Sequence, residues 1–115
     1  MTVRDMMDYQ RRLQEKYKGV WEGDAPETAQ HHLLYAVEEI GEVSAILRKR
    51  GAANTAGDPE LQDRLCEEMA DVFMFLNDVM ICENITPEQF EAAYLKKMEK
   101  NLQRDFVKEH SEYIG

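Results

Sequence analysis

The sequence lacks long apolar runs and alternating apolar and polar segments. No stretch approaches the roughly 18 apolar residues of a membrane-spanning helix, and residues 1–13 are too charged for a secretory signal. We therefore expect no membrane partner. β-Branched runs alternating with polar residues between turns are also missing, so strands are not predicted. These absences favour an all-α chain.

Cysteine and basic residues are scarce. The two cysteines, Cys66 and Cys82, match no metal-ligand spacing and lie in apolar helical sequence. They are predicted to be buried free thiols in a reducing cytoplasm. The 23 acidic residues exceed the 14 basic ones and give a net charge of -9. A broad basic surface for a nucleic-acid polymer is thereby excluded, whereas a single nucleotide bound through divalent ions is not.

Helix start and stop signals divide the chain into about four helices, of which the central two are long. The 115 residues are predicted to form a single domain, with its core at about 24–104 and a tail at 105–115. Short connections favour an antiparallel bundle, with its core completed by dimerisation. The predicted helices run from about Val3 to Tyr17, about Ala25 to Arg50, Pro59 to about Glu83, and Pro87 to about Arg104.

Helix caps are predicted at four polar residues that precede these segments. Thr2, Asp24, Asp58 and Thr86 each stand where a side-chain oxygen can accept hydrogen bonds from the first turn. The small residues of 51–57 are predicted to form a loop.

Two acidic pairs interrupt apolar stripes on the central helices. Glu39 and Glu42 form one pair, and Glu68 and Asp71 form the other. Residues three apart lie on the same face of a helix, one turn apart. Half-buried carboxylates without partners are destabilising by several kcal/mol each, so four together predict pairing, protonation or a bound metal ion. Asp78, two turns beyond Asp71, is predicted to be solvated.

The sequence around these pairs resembles the motifs of a known family. The segments EEIGE at 38–42 and EEMADV at 67–72 look like the E-E-x-G-E and E-E-x-x-D-V motifs of the MazG-like all-α nucleoside triphosphate pyrophosphohydrolases. A third segment, KMEKNLQR at 97–104, looks like that family's K-x-x-x-N-x-x-R. The resemblance covers residues 28 to 104 or so, which is most of the chain.

The resemblance implies hydrolysis of a nucleoside triphosphate between its α- and β-phosphates, giving a monophosphate and pyrophosphate. Glu39, Glu42, Glu68 and Asp71 would be the catalytic and metal-binding residues, with Mg²⁺, or alternatively Mn²⁺, as the cofactor. Any acid not fully engaged by metal could act as the base. The resemblance further implies house-cleaning of the nucleotide pool and a homodimer or homotetramer.

Five residues are predicted to bind the substrate. Lys97 and Asn101 share a helix face, with Arg104 following, and the resemblance implies that they contact phosphate or sugar. Trp21 offers a π-face for the base, although a core position explains it equally well. His31 lies two turns before Glu38 and can approach the base or a phosphate, although helical histidines are more often structural.

Three alternatives compete with this interpretation, and the last two stay open. A di-iron carboxylate bundle requires E-x-x-H pairs, which this sequence does not contain. Phosphoribosyl-ATP pyrophosphohydrolase shares the same acidic chemistry. A non-enzymatic helical dimerisation or regulatory module would bind metal for stability without turnover.

Overall fold

A computed structural model describes residues 1–114, except for the side chains at positions 106, 113 and 114. Within these residues the chain is helical and has no strand. It divides into two compact units, Met1–Ile85 and the segment that begins at Thr86. The all-α prediction is confirmed. The single domain over 1–115 and the four-helix bundle stay predictions, and Gly115 of the predicted tail lies outside the described residues.

Three of the four predicted helix caps are present. Thr2 and Asp5 form a capping box, the Asp58 carboxylate accepts from two backbone N–H groups, and Thr86 and Gln89 form a second box. The helices of the first unit are α1 (Val3–Lys16), α2 (Ala29–Arg50), α3 (Ala52–Ala56) and α4 (Pro59–Cys82), and those of the second are α5 (Pro87–Gln103) and α6 (Phe106–Ile114).

The fourth predicted cap, Asp24, is wrong. Its side chain is 7% exposed and points to His32 and Cys82 instead of the start of α2. A 3₁₀ turn, Pro26–Thr28, precedes α2, and the Thr28 hydroxyl accepts a hydrogen bond from the Ala25 N–H. A backbone N–H at the start of this segment is therefore bound by Thr28, and not by Asp24.

The predicted loop at 51–57 is also corrected, because it contains the short helix α3. Gly51 ends α2 with a φ of +83°, a left-handed conformation that favours glycine. The Thr55 side chain is buried, and its hydroxyl donates to the Gly51 carbonyl at 3.0 Å. Small residues thus turn the chain tightly between two long helices.

The long helices α2 and α4 pack against each other in antiparallel directions. Moving forward along α2, Thr28 just before its start approaches Cys82, His32 approaches Asp78, and Tyr35 approaches Phe75 with ring centroids 5.5 Å apart. As residue numbers rise along α2, the residues contacted on α4 have falling numbers, which is the antiparallel arrangement. This register brings the two predicted acidic pairs to the same level. Helix α1 also packs on α4, and its Met7 is fully buried.

One side of the α2–α4 pair exposes large apolar side chains. Leu33 and Ile40 form an apolar row of α2 with Ala36, and they are 41% and 51% exposed, whereas Ala36 is buried. Leu33, Val37 and Ile40 share one face of α2 by their spacing, and exposed apolar surface of this kind is unusual on a monomer. The exposed side chains are Leu33, Leu34, Val37 and Ile40 on α2 and Met69, Phe73 and Met74 on α4.

None of the described helices has both the length and the apolar character needed to span a bilayer.

Candidate metal and nucleotide site

Three of the four predicted carboxylates come together. Glu39 of α2 and Glu68 and Asp71 of α4 each offer an oxygen, and the three oxygens lie within 4.8 Å of one another. Glu39 and Glu68 are half-buried and Asp71 is exposed. The i, i+3 spacing places Glu68 and Asp71 on one face of α4, and the antiparallel register places Glu39 opposite them.

The crowding of these acids disfavours the charged form of Glu39. The pKa of Glu39 is raised by burial, then by a hydrogen bond with Glu68, and then by the charges of Asp71, Glu68 and Glu42. Like charges that share a site disfavour ionisation unless a cation compensates them. A hard divalent ion such as Mg²⁺, which prefers oxygen ligands, fits a donor set of three carboxylates.

Glu42 stands one turn beyond Glu39 and is exposed. It is not among the three acids whose oxygens cluster, although its charge contributes to the raised pKa of Glu39. Glu42 also lines a separate cavity of about 240 Å³ together with Lys49 and Arg64. Its part in metal binding stays a prediction.

A cavity of about 490 Å³ adjoins the carboxylates. It lies between α1, the connection that follows α1, α2 and α4, and Glu39 and Asp71 belong to its wall. Ligand sites of this size usually combine apolar walls with a few polar groups. The lining includes three aromatic side chains, Trp21, Tyr35 and Phe75.

Trp21 lines this cavity and stacks on Tyr17, with ring centroids 4.4 Å apart. The indole is 43% exposed, so one predicted substrate residue stands at the cavity with accessible surface. His31 is not in the cavity lining. It is exposed and pairs with Glu22, whose pKa is lowered chiefly by that hydrogen bond.

The neighbouring histidine, His32, lines the cavity instead and is 3% exposed. Its Nε2 lies 3.2 Å from Asp24 Oδ1, and its Nδ1 lies 3.7 Å from Asp78 Oδ2. The spacing of His32 could have indicated its position, because it lies one helical turn before Ala36 and therefore on the same face of α2. Both side chains are buried.

Asp78 is buried, so its predicted solvated position is wrong. The side-chain amides of Gln10 and Gln14 donate to its two oxygens at 2.9 and 3.1 Å. Such donors satisfy a carboxylate that would otherwise be destabilising in the core. The two glutamines are one turn apart on α1, a spacing that places them on one face.

Asp24 stands beside this network, and its pKa is raised to about 7. Burial is the main cause, followed by a hydrogen bond with Asp78 and the charge of Asp78. Burial also raises the pKa of the Cys82 thiol. Cys82 is buried as predicted, whereas Cys66 is exposed and corrects the prediction of two buried thiols.

The predicted phosphate-binding residues lie in the second unit. Lys97 and Asn101 line a cavity of about 380 Å³ with Tyr94, Met98 and Leu102. Arg104 is paired with Glu109 through two hydrogen bonds of 3.2 and 2.8 Å. Lys97 and Asn101 line the same cavity, as their i, i+4 spacing on one helix face predicts. Their contact with substrate stays a prediction.

A stability measurement can test the electrostatic account of the carboxylate cluster. In chelator at neutral pH, Glu39→Gln is expected to raise the Tm by about 1–5 °C, since exposed charge interactions contribute roughly 0.2–1 kcal/mol. Because the folded protein holds the Glu39 proton more tightly, the wild type loses stability as pH rises through the raised pKa. The gain should therefore shrink at acidic pH.

Thermal melts of both proteins from acidic to neutral pH, with and without Mg²⁺, provide the check. Added Mg²⁺ should stabilise the wild type more than Glu39→Gln. An equal or lower Tm of the variant in chelator at every pH would contradict the assigned repulsion.

Comparison of the chain with protein-family models, curated proteins and solved structures gives no match.

Proposed function

We propose that this chain is a Mg²⁺-dependent nucleoside triphosphate pyrophosphohydrolase, with Mn²⁺ as a possible substitute. The observation that carries the proposal is the cluster of Glu39, Glu68 and Asp71, whose oxygens lie within 4.8 Å of one another beside an aromatic-lined cavity of about 490 Å³. A site for a metal-bound nucleotide needs these two parts next to each other. The resemblance of the three sequence motifs gives the reaction class.

The acids have separable tasks. Glu39, Glu68 and Asp71 would hold the ion, and Glu42 stands one turn away on the same helix as Glu39. A bound Mg²⁺ supplies positive charge that neutralises and polarises the phosphates. One of the carboxylates orients a water molecule and accepts its proton. The P–O bond between the α- and β-phosphates breaks, and the products are a nucleoside monophosphate and pyrophosphate.

The cavity supplies a place for the nucleoside. Trp21, Tyr35 and Phe75 offer π-faces for a base, and a metal ion held by the carboxylates at the same cavity would attract the phosphates. Lys97, Asn101 and Arg104 are proposed to contact phosphate or sugar, as the motif resemblance implies. The acidic balance of the chain fits a free nucleotide rather than a nucleic-acid polymer.

The exposed apolar side chains of α2 and α4 support a homodimer, alone or within a tetramer. These side chains are about half exposed, so burial of the remainder of each in a second copy would contribute about 1 kcal/mol. Gly41 lies among them on α2, and a Cβ added at this glycine would meet no neighbouring atom within 4 Å, so a second helix can approach closely there. We further propose a cytoplasmic protein that clears unwanted nucleotides.

A nucleotide panel tests this proposal. The protein with Mg²⁺ is offered canonical and modified ribo- and deoxynucleoside triphosphates and phosphoribosyl-ATP, and pyrophosphate and orthophosphate are measured separately. Pyrophosphate from a nucleoside triphosphate is the expected result. Preference for phosphoribosyl-ATP would identify the related hydrolase, and metal-dependent stabilisation without turnover of any substrate would identify a binding module.

A further inference from the structure

A second group of metal-ligand side chains lies where α2 begins and α4 ends, whereas the carboxylate cluster lies near the middle of both helices. Asp24, His32 and Cys82 each offer a ligand atom, and the three atoms lie within 4.8 Å of one another. His32 and Cys82 are buried, and the Asp24 side chain is 7% exposed. The proposed hydrolysis uses none of these three residues.

The spacing of these atoms suits a small tetrahedral ion. Asp24 Oδ1 lies 3.2 Å from His32 Nε2 and 3.7 Å from Cys82 Sγ. A tetrahedral zinc ion with bonds of about 2.0 Å to nitrogen and oxygen and about 2.3 Å to sulfur separates its ligand atoms by roughly 3.3–3.5 Å. The two distances from Asp24 Oδ1 are close to these values, and the ligand atoms of His32 and Cys82 lie within 4.8 Å of each other.

Two buried polar atoms of the cluster have no hydrogen-bond partner. They are His32 Nδ1 and, whenever Asp24 shares no proton with Asp78, Asp24 Oδ2. An unsatisfied buried polar group is destabilising by about 1–3 kcal/mol, so a second carboxylate oxygen left over beside a thiol and an imidazole indicates a ligand site. This observation is independent of the distances between the ligand atoms.

The surroundings of His32 match those of a metal-bound imidazole. With Nε2 on a metal, the proton resides on Nδ1, which faces Asp78 Oδ2 at 3.7 Å. Metal-binding histidines commonly donate their second N–H to a carboxylate, which fixes the ring and its tautomer. Asp78 is itself held by Gln10 and Gln14.

We propose that Asp24, His32 and Cys82 bind a divalent metal ion, and that Zn²⁺ is the ion that suits these ligands best. Mixed nitrogen, oxygen and sulfur donors favour Zn²⁺ over Mg²⁺, which prefers oxygen alone. Neutral oxygens stand near for a fourth ligand, since the Gly23 carbonyl lies 3.3 Å from His32 Nε2 and the Thr28 hydroxyl 3.6 Å from Cys82 Sγ. Binding displaces the thiol proton of Cys82 to solvent. The ion would tie the connection after α1 to α2 and α4.

Cobalt is the probe for this site. The full chain, stripped with chelator and kept reduced, is titrated with Co²⁺, whose tetrahedral thiolate complexes absorb in the near ultraviolet and strongly in the visible. One equivalent should produce the thiolate band, and Zn²⁺ should abolish it.

The second cysteine gives a matched control, because Cys66 is exposed and Cys82 is buried. The band should persist in Cys66→Ser and in Glu68→Gln and vanish in Cys82→Ser.

The near-isosteric Asp24→Asn variant keeps the test decisive if Cys82→Ser does not fold. It retains the thiol and should weaken Co²⁺ and Zn²⁺ binding by at least about 10-fold, as is typical when support of a metal site is lost. Absence of a thiolate band from the folded wild-type protein would overturn the proposal and leave a closed hydrogen-bonded network. Loss of the band in Cys66→Ser, or unchanged affinity in Asp24→Asn, would overturn it as well.

Discussion

Glu68→Gln should lower kcat/KM for pyrophosphate release by about 10²-fold or more, which corresponds to about 3 kcal/mol or more of transition-state stabilisation. Glu68 is half-buried, lies among the three clustered carboxylates and is hydrogen-bonded to Glu39. The amide keeps the size of the side chain but removes its charge. It therefore weakens metal binding without opening a cavity.

The adjacent residue provides the control. Glu67 is exposed and is not one of the three clustered acids, so Glu67→Gln should stay within about 3-fold of the wild type, in line with the small effects of exposed charges. Steady-state kinetics of Glu68→Gln and Glu67→Gln over a range of Mg²⁺ concentrations measure the difference between the two variants. Equal losses in both variants would show that net charge, and not the cluster, governs the rate.

Ile40→Glu should convert the proposed dimer to monomers and raise its Kd by about 10³-fold or more, because burial of a charge in an apolar interface is destabilising by several kcal/mol. Ile40 is 51% exposed and stands with Leu33 and Val37 on the apolar side of α2. The measurement is sedimentation across a range of protein concentrations.

Val20→Glu is the matched control for this experiment. Val20 is 80% exposed and belongs to the connection after α1, outside the apolar side of α2 and α4. The same change of chemistry there should leave the assembly intact. A monomeric wild type, or dissociation caused equally by Val20→Glu, would contradict the assignment of this surface to a second copy.

Local signals made much of the fold predictable. The caps at Thr2, Asp58 and Thr86 depend on side-chain oxygens that reach donors within three residues, so the local sequence suffices. The acidic pairs were likewise recognisable, because their i, i+3 spacing interrupts apolar stripes. Only the antiparallel register of α2 and α4, a tertiary property, selects Glu39, Glu68 and Asp71 as the acids that meet.

The buried polar network could not be predicted in the same way. Asp24 satisfies every local criterion for a cap, yet contacts across the fold with His32 and Cys82 prevail. In the sequence Asp78 has the pattern of a solvated acid, because the amides of Gln10 and Gln14 that bind it belong to α1, far away along the chain. Both depend on packing between segments more than 50 positions apart in the sequence, as the contacts of Asp24 with Cys82 and of Gln10 with Asp78 show.

The most direct test of the central claim is the metal dependence of pyrophosphate release by the wild-type protein from its best nucleoside triphosphate. Pyrophosphate should form in equal amounts with nucleoside monophosphate, stop on addition of chelator and resume when Mg²⁺ is restored. Orthophosphate as the product, or pyrophosphate release that continues in chelator, would contradict the assignment of this reaction to the Glu39, Glu68 and Asp71 cluster.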